Sequence, residues 1–266
     1  KVDAIRHNSA TSDAITTAAD GTCTARITGM TGGTALSHRN KVINGGMTIS
    51  QRGTTFSATT SSIYTLDRFQ IATGTAFNFD TTITQDSSTP DGFQKSLKIT
   101  PDSTQTPTGS HNGTIRQMIE GQDVQDLAFG TSSAKSVTVS FYAKSASSNN
   151  NHQYGVQLRT RDSVGAARYV SQAFTVTTSW QRYTMTFAGN TSVAIRNDNG
   201  NGFEICFHLA SGPDDIVSAK STWTTSGAFQ TVTGQSNFMD NTSNEFYLTG
   251  VQLEVGDTAT SFEHRS

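Results

Sequence analysis

Charged side chains make up only 15% of this sequence, Lys, Glu and Leu are all sparse, and Pro occurs 4 times in 266 residues. Each scarcity excludes something. With a formal net charge of -2 and no basic stripe, the chain offers no electrostatic attraction for nucleic acid or an anionic membrane surface. With so few strong helix formers, a helical domain is not expected. No apolar run reaches the ~20 residues that span a bilayer and the first residues are polar, so neither a membrane anchor nor a secretory signal is expected. The two cysteines, Cys23 and Cys206, are far apart, which excludes a disulfide framework and a cysteine-ligand zinc spacing. Unpaired thiols are expected.

What the chain has instead is Thr, Ser, Val, Phe and Tyr, residues that suit a pleated, half-buried surface. The pattern predicts short strands over Ala76–Thr84, Gln94–Thr100, Thr114–Glu120, Ser136–Lys144, Tyr154–Thr160, Arg168–Val176, Gln181–Phe187, Gly202–Leu209 and Phe246–Val255. Several alternate cleanly: Val137, Val139, Phe141 and Ala143 oppose Thr138, Ser140, Tyr142 and Lys144, and Phe203, Ile205, Phe207 and Leu209 oppose Glu204, Cys206 and His208. The last strand changes phase. Phe246 and Leu248 share one parity, Val251, Leu253 and Val255 the other, and Gly250 stands at the change, where a glycine accepts the extra residue of a β-bulge. A strand that bends in this way serves a curved sheet, and the chain is expected to end inside its own core.

The fold class is therefore all-β, a jelly-roll β-sandwich over residues 40–266 preceded by an extended N-terminal oligomerisation arm over 1–39. The arm is small and polar and has too little apolar area to offset its chain entropy. Three copies side by side would direct Ile15, Cys23 and Ile27 to a shared axis, and a frayed terminus reads equally well. Long soft loops follow Lys144, Arg196 and Leu209. The last of these, 211–243, carries Trp223 and is long enough to be a structured excursion.

Six blocks carry a resemblance: Asn40-Lys-Val-Ile-Asn-Gly-Gly-Met-Thr-Ile-Ser-Gln-Arg-Gly-Thr54, Tyr64-Thr-Leu-Asp-Arg-Phe69, Val139-Ser-Phe-Tyr-Ala-Lys-Ser145, Gln157-Leu-Arg-Thr-Arg-Asp162, Trp180-Gln-Arg-Tyr-Thr-Met-Thr-Phe187, and Gly250-Val-Gln-Leu-Glu-Val-Gly256 with Phe262-Glu-His-Arg-Ser266. They resemble blocks of tailed-bacteriophage tail-fibre and related virion proteins, especially of marine phages. Ser140-Phe-Tyr-Ala-Lys144 and Trp180-Gln-Arg-Tyr183 are also similar to segments of jelly-roll carbohydrate-binding modules. The resemblance implies a structural, host-recognition subunit of a phage tail fibre. Such a subunit is assembled in the host cytoplasm, located in the virion and homotrimeric, and it meets host surface polysaccharide or neighbouring virion proteins. In such proteins the Phe-Glu-His-Arg-Ser motif often precedes a further C-terminal segment.

For ligand binding, Tyr142, Lys144, Gln157, Arg159, Glu204 and His208 share the non-core parity of strands expected to be neighbours, and aromatic with polar groups suits sugar rings and hydroxyls. The same charges serve equally as salt bridges across a sheet. Trp223 is the candidate exposed aromatic, because its surroundings are polar, and Trp180 is expected to pack at the sandwich edge. Asp67 and Arg68 are expected to tie a strand start to a loop. Asp198, Asn199, Asn201 and Glu204 gather oxygen ligands suited to calcium in one loop, although Asn, Asp and Gly are also simply turn residues. In jelly-roll modules that hold calcium, acidic residues tend to stand where this chain has Thr249-Gly250. No catalytic residues are expected: no nucleophile elbow, paired histidine ligands or phosphate loop is present, and Asp214-Asp215, the one adjacent carboxylate pair, is expected to face water. A stand-alone carbohydrate-binding module is the alternative. A depolymerase would need a carboxylate pair across a cleft.

Overall fold

The structure, a computed structural model, describes residues 39–74, 76–225 and 230–265, and of the preceding segment the backbone of 4–5, 15–17 and 23–25. In that segment β1 (Ala4–Ile5), β2 (Ile15–Thr17) and β3 (Cys23–Ala25) pair antiparallel in chain order. Backbone pairing within one chain, Thr17 with Cys23 and Ile15 with Ala25, is what these stretches show. The side chains of Ile15 and Cys23, and all of Ile27, lie outside the described residues.

The rest is all-β, a jelly-roll β-sandwich. Its strands are β4 (Thr55–Ala58), β5 (Ile63–Tyr64), β6 (Phe69–Gly74), β7 (Thr81–Asp86), β8 (Ser96–Pro101), β9 (Asn112–Glu120), β10 (Val137–Ser145), β11 (Gln153–Arg161), β12 (Ala167–Thr175), β13 (Gln181–Phe187), β14 (Asn201–Ser211), β15 (Thr224–Thr225) and β16 (Phe246–Val255). They form a six-stranded sheet, β13-β10-β16-β8-β7-β4, and a seven-stranded sheet, β15-β12-β11-β14-β9-β6-β5, antiparallel throughout. The two inner faces meet in one apolar core. Phe141 of the first sheet lies edge-on to Phe174 at 5.1 Å and to Phe207 at 4.9 Å in the second. Burial of alternate residues fixes the register, since a slip by one would turn each strand's apolar set outward.

The bulge stands at Gly250. Ser140 pairs with Gln252 and Tyr142 with Thr249, so Phe141 alone spans Gly250 and Val251, and Gly250 has φ +62. Phe246, Leu248, Val251, Leu253 and Val255 consequently all reach the core despite the phase change. The opposite face of β16 is covered too: Gln252 accepts from the Glu263 amide at 2.7 Å and Glu254 from the Thr260 amide at 3.0 Å. The segment 39–47 then runs beside β16, with Lys41 N donating to Leu253 O at 2.9 Å and Val251 N to Gly45 O at 3.0 Å. A Cβ at Gly45 would stand 2.0 Å from the Val251 carbonyl oxygen, so only glycine permits that approach. Gln117 of the other sheet exchanges two 2.9 Å bonds with the Ile43 backbone, which ties this segment to both layers.

One expected strand differs, and four strands of the sandwich were not expected. The strand expected from Ala76 begins only at Thr81: Ala76 has φ +54, Phe77 turns back to Gly74, and Phe77 and Phe79 are buried from a coil. Strands β4, β5, β6 and β15 were not legible as alternation, being short or buried on both faces. Among the described residues no helix is long and apolar enough to cross a membrane.

Candidate functional site

The outer face of the seven-stranded sheet is unusually polar and unusually buried. Register places Met118, Glu204, Arg159 and Tyr169 in one row across β9, β14, β11 and β12, and Gln70, Arg116, Cys206, Gln157 and Ser171 in the next. Glu204, fully buried, receives Arg161 Nε at 3.2 Å, Arg116 at 3.5 Å and Arg159 at 4.0 Å, and Asn201 Nδ2 donates to it at 2.7 Å. Three guanidinium groups thus surround one carboxylate. Burial holds the Arg159 guanidinium below its usual range, with Glu204 acting in the opposite sense. It also pushes the Cys206 thiol up to about 12, so this free cysteine is an inert core thiol. His208, fully buried, is pushed down to about 3 by burial and then by Arg159, so its ring is neutral.

Where this face reaches the starts of β6 and β14, it opens into a cavity of about 180 Å³ lined by Tyr64, Arg68, Met118, Ile119, Glu120, Asn199 and Asn201. Tyr64 is 44% exposed, one of two large apolar side chains so exposed among the described residues, and the Arg52 guanidinium lies 5.7 Å from its ring centroid. Arg68 reaches Glu120 at 3.2 Å. Asn201 connects the cavity to the arginine cluster: its Nδ2 is committed to Glu204, while its buried Oδ1 has no hydrogen-bond partner. An aromatic face, two amides and a charged pair around one opening supply stacking and bidentate hydrogen bonding together. A wider depression lies at Thr104, Gln105, Thr106, Met239 and Asp240, but no aromatic ring lines it.

The residues expected on a single glycan face are not brought together. Tyr142 and Lys144 belong to the six-stranded sheet, on the opposite side of the sandwich from Gln157, Arg159, Glu204 and His208. Tyr142 packs against Phe93 at 5.2 Å, and Lys144 Nζ lies 4.4 Å from the Tyr247 ring centroid. Gln157, Glu204 and His208 are fully buried. The segment that follows β14 lies over the first and the last, with Gln157 Nε2 donating to Gln230 O at 2.7 Å and Gln235 Nε2 to His208 O at 2.8 Å, whereas Glu204 is enclosed by Arg116, Arg159, Arg161 and Asn201. Their outward parity was legible, but their burial on that outer face was not. Trp223 is half-buried, edge-on to Phe129 at 5.3 Å and Phe203 at 6.4 Å, with Nε1 donating to Ala188 O at 2.6 Å. The apolar neighbours its local sequence lacks come from across the fold. Trp180 is half-buried and edge-on to Tyr247 at 6.1 Å.

The proposed calcium ligands are already committed. Both oxygens of Asp198 take Arg196, at 2.6 and 2.8 Å, and Glu204 holds its arginines. Asn199 and Asn201 line the cavity instead. Asp67 bonds the Gln51 amide at 3.0 Å and approaches Arg52 at 3.7 Å, so it anchors a loop without pairing to Arg68. Asp215 does not face water: it is 1% exposed, and burial raises its pKa. Tyr64, Arg68, Met118 and Glu120 were not singled out as site residues. The Tyr64–Phe69 block was visible, but nothing local says that its tyrosine meets the end of β9.

No protein-family model matches the chain, and no curated protein does. Solved structures to which it is similar include the enzymatically active domain of tailspike protein 4 of bacteriophage CBA120, at 15% identity and TM-score 0.39, covering 82% of this chain and 21% of that one. The match thus spans about a fifth of that tailspike domain. The CBM22-1 xylan-binding domain of Paenibacillus barcinonensis Xyn10C matches at 12% identity and TM-score 0.38, covering 77% of this chain and 95% of the other. The family 11 carbohydrate-binding module of Clostridium thermocellum cellulosomal cellulase Lic26A-Cel5E matches at 11% identity and TM-score 0.38, covering 77% and 98%.

Proposed function

We propose that this chain is a non-enzymatic, glycan-recognising subunit of a bacteriophage tail fibre, with Tyr64, Arg68, Glu120, Asn199 and Asn201 forming the sugar site. The observation that carries the reading is the open cavity that has an exposed tyrosine at its mouth and an unpartnered buried amide oxygen in its wall. At about 180 Å³ the cavity is smaller than the ~300–1,000 Å³ clefts that enclose drug-sized ligands, which suits one sugar ring or a chain end. The ring would stack on Tyr64, and its hydroxyls would bond Asn199, Asn201 and the Arg68–Glu120 pair. Assignment to a phage fibre rests on the sequence blocks from Asn40 onward.

Binding of bacterial surface oligosaccharides on a glycan array tests the site. Tyr64→Ala is expected to weaken the best-bound saccharide about five- to thirtyfold, since lost stacking and burial amount to about 1–2 kcal/mol. Equal binding by both proteins would remove Tyr64 from the site.

The fibre reading includes a homotrimer, in which three weak sugar contacts become useful avidity. Sedimentation velocity is expected to give a trimer. A monomer would favour the second reading, a stand-alone carbohydrate-binding module. That reading draws on the self-contained closure of the sandwich, in which Asn44 N donates to Arg265 O at 2.7 Å.

A further inference from the structure

On the same outer face, at the opposite end of β14 from the cavity, three buried oxygens lack a hydrogen-bond partner: Asn112 Oδ1, Ser211 Oγ and Asp215 Oδ1. They belong together. Ser211 and Asn112 are direct cross-strand partners, which sets their side chains side by side, and Asn112 Nδ2 approaches Asp215 Oδ2 at 3.4 Å. The two loops that carry them are clamped to each other, with Gly212 N bonded to His111 O at 2.7 Å and Asp214 N to Gly109 O at 3.1 Å. The frame is therefore set before any ligand arrives.

The charge here is not offset. Asp215 is 1% exposed, and its one side-chain hydrogen bond is the long contact from Asn112. Among the described residues the charged group it feels is Asp214, of the same sign. A buried carboxylate left in this state is costly, and a carboxylate oxygen and an amide oxygen can only accept. A proton on Asp215 would remove the charge but could donate to only one of these acceptors, and a water could donate to them but would leave the charge of the ionised form uncompensated. A hard cation satisfies both requirements, and it prefers oxygen ligands of this kind.

We propose that Asn112 Oδ1, Ser211 Oγ and Asp215 Oδ1 form a calcium site that fastens the loop after β14 to the sheet. It is independent of the sugar cavity and of the Asp198 loop. With a single carboxylate among its ligands the site is weak, with Kd in the ~0.1–1 mM range of low-charge extracellular sites.

Thermal unfolding of the full chain, first stripped with EDTA, tests it. Calcium at about 10 mM is expected to raise Tm by roughly 3–6 °C, and calorimetric titration should show one equivalent bound per chain. Asp215→Asn, which keeps the shape and removes the charge, should unfold no earlier than the parent in EDTA and should lose the calcium shift. Ser211→Ala should retain a reduced shift. No calcium-dependent shift in the parent, or an equal shift in Asp215→Asn, would overturn the proposal. The readout contains no saccharide, so its failure leaves the sugar site untouched, and failure of sugar binding leaves this one standing.

Discussion

Glu204→Gln is expected to destabilise the chain by about 3–5 kcal/mol, the range for removing one partner of a buried ion pair. The wild-type carboxylate is fully buried, and Arg116, Arg159 and Arg161 all lie within 4.0 Å of it. Glutamine keeps the shape and one acceptor oxygen but leaves three cations facing one another with no counter-charge. The arginines are not free to leave: Arg116 Nε is bonded to Gln70 Oε1 at 2.7 Å, and Arg161 is held at Gly165 O at 3.4 Å. Urea unfolding measures the loss directly. A change below about 1 kcal/mol, the usual size for an exposed pair, would mean that water reaches the cluster.

Gly250→Val has the second large expected effect, about 2–5 kcal/mol. Roughly 1–2 kcal/mol comes from a left-handed backbone at a residue with a Cβ, and about 1–3 kcal/mol from overpacking. At φ +62 a Cβ would lie 2.7 Å from Phe93 and 3.0 Å from Tyr142. The bulge cannot slide to relieve this, because moving it by one residue would take Val251 or Leu248 out of the core. Unfolding midpoints read the cost, and crystallography would show whether Phe93 is displaced. A variant as stable as the parent would show that β16 reaches the core on both sides of residue 250 without the glycine.

These two substitutions mark how far the sequence alone reaches. The phase change at Gly250 was visible because it needs only local parity: Phe246 and Leu248 on one count, Val251 and Leu253 on the other. The sandwich followed from the same kind of signal, and the strands over Gln181–Phe187 and Phe246–Val255 have the expected ends. Glu204 was legible as an outward residue and not as a buried one, because the arginines that enclose it come from two other strands, β9 and β11. Tyr142 and Glu204 share an outward parity, but parity does not say which of two sheets a strand joins. Trp223 shows the same limit, since Phe129 and Phe203 are remote from it in sequence. The cavity depends on β5, the β5–β6 turn, the end of β9 and the start of β14 meeting at one corner, and no single stretch carries that information.

Hydrogen–deuterium exchange of the full chain, with and without the oligosaccharide it binds best, locates the sugar site. Protection is expected only in peptides spanning 62–70, 116–121 and 197–203, which hold the cavity residues. Protection around Tyr142, Lys144 and Trp180 on the opposite sheet, with the cavity peptides unchanged, would contradict it.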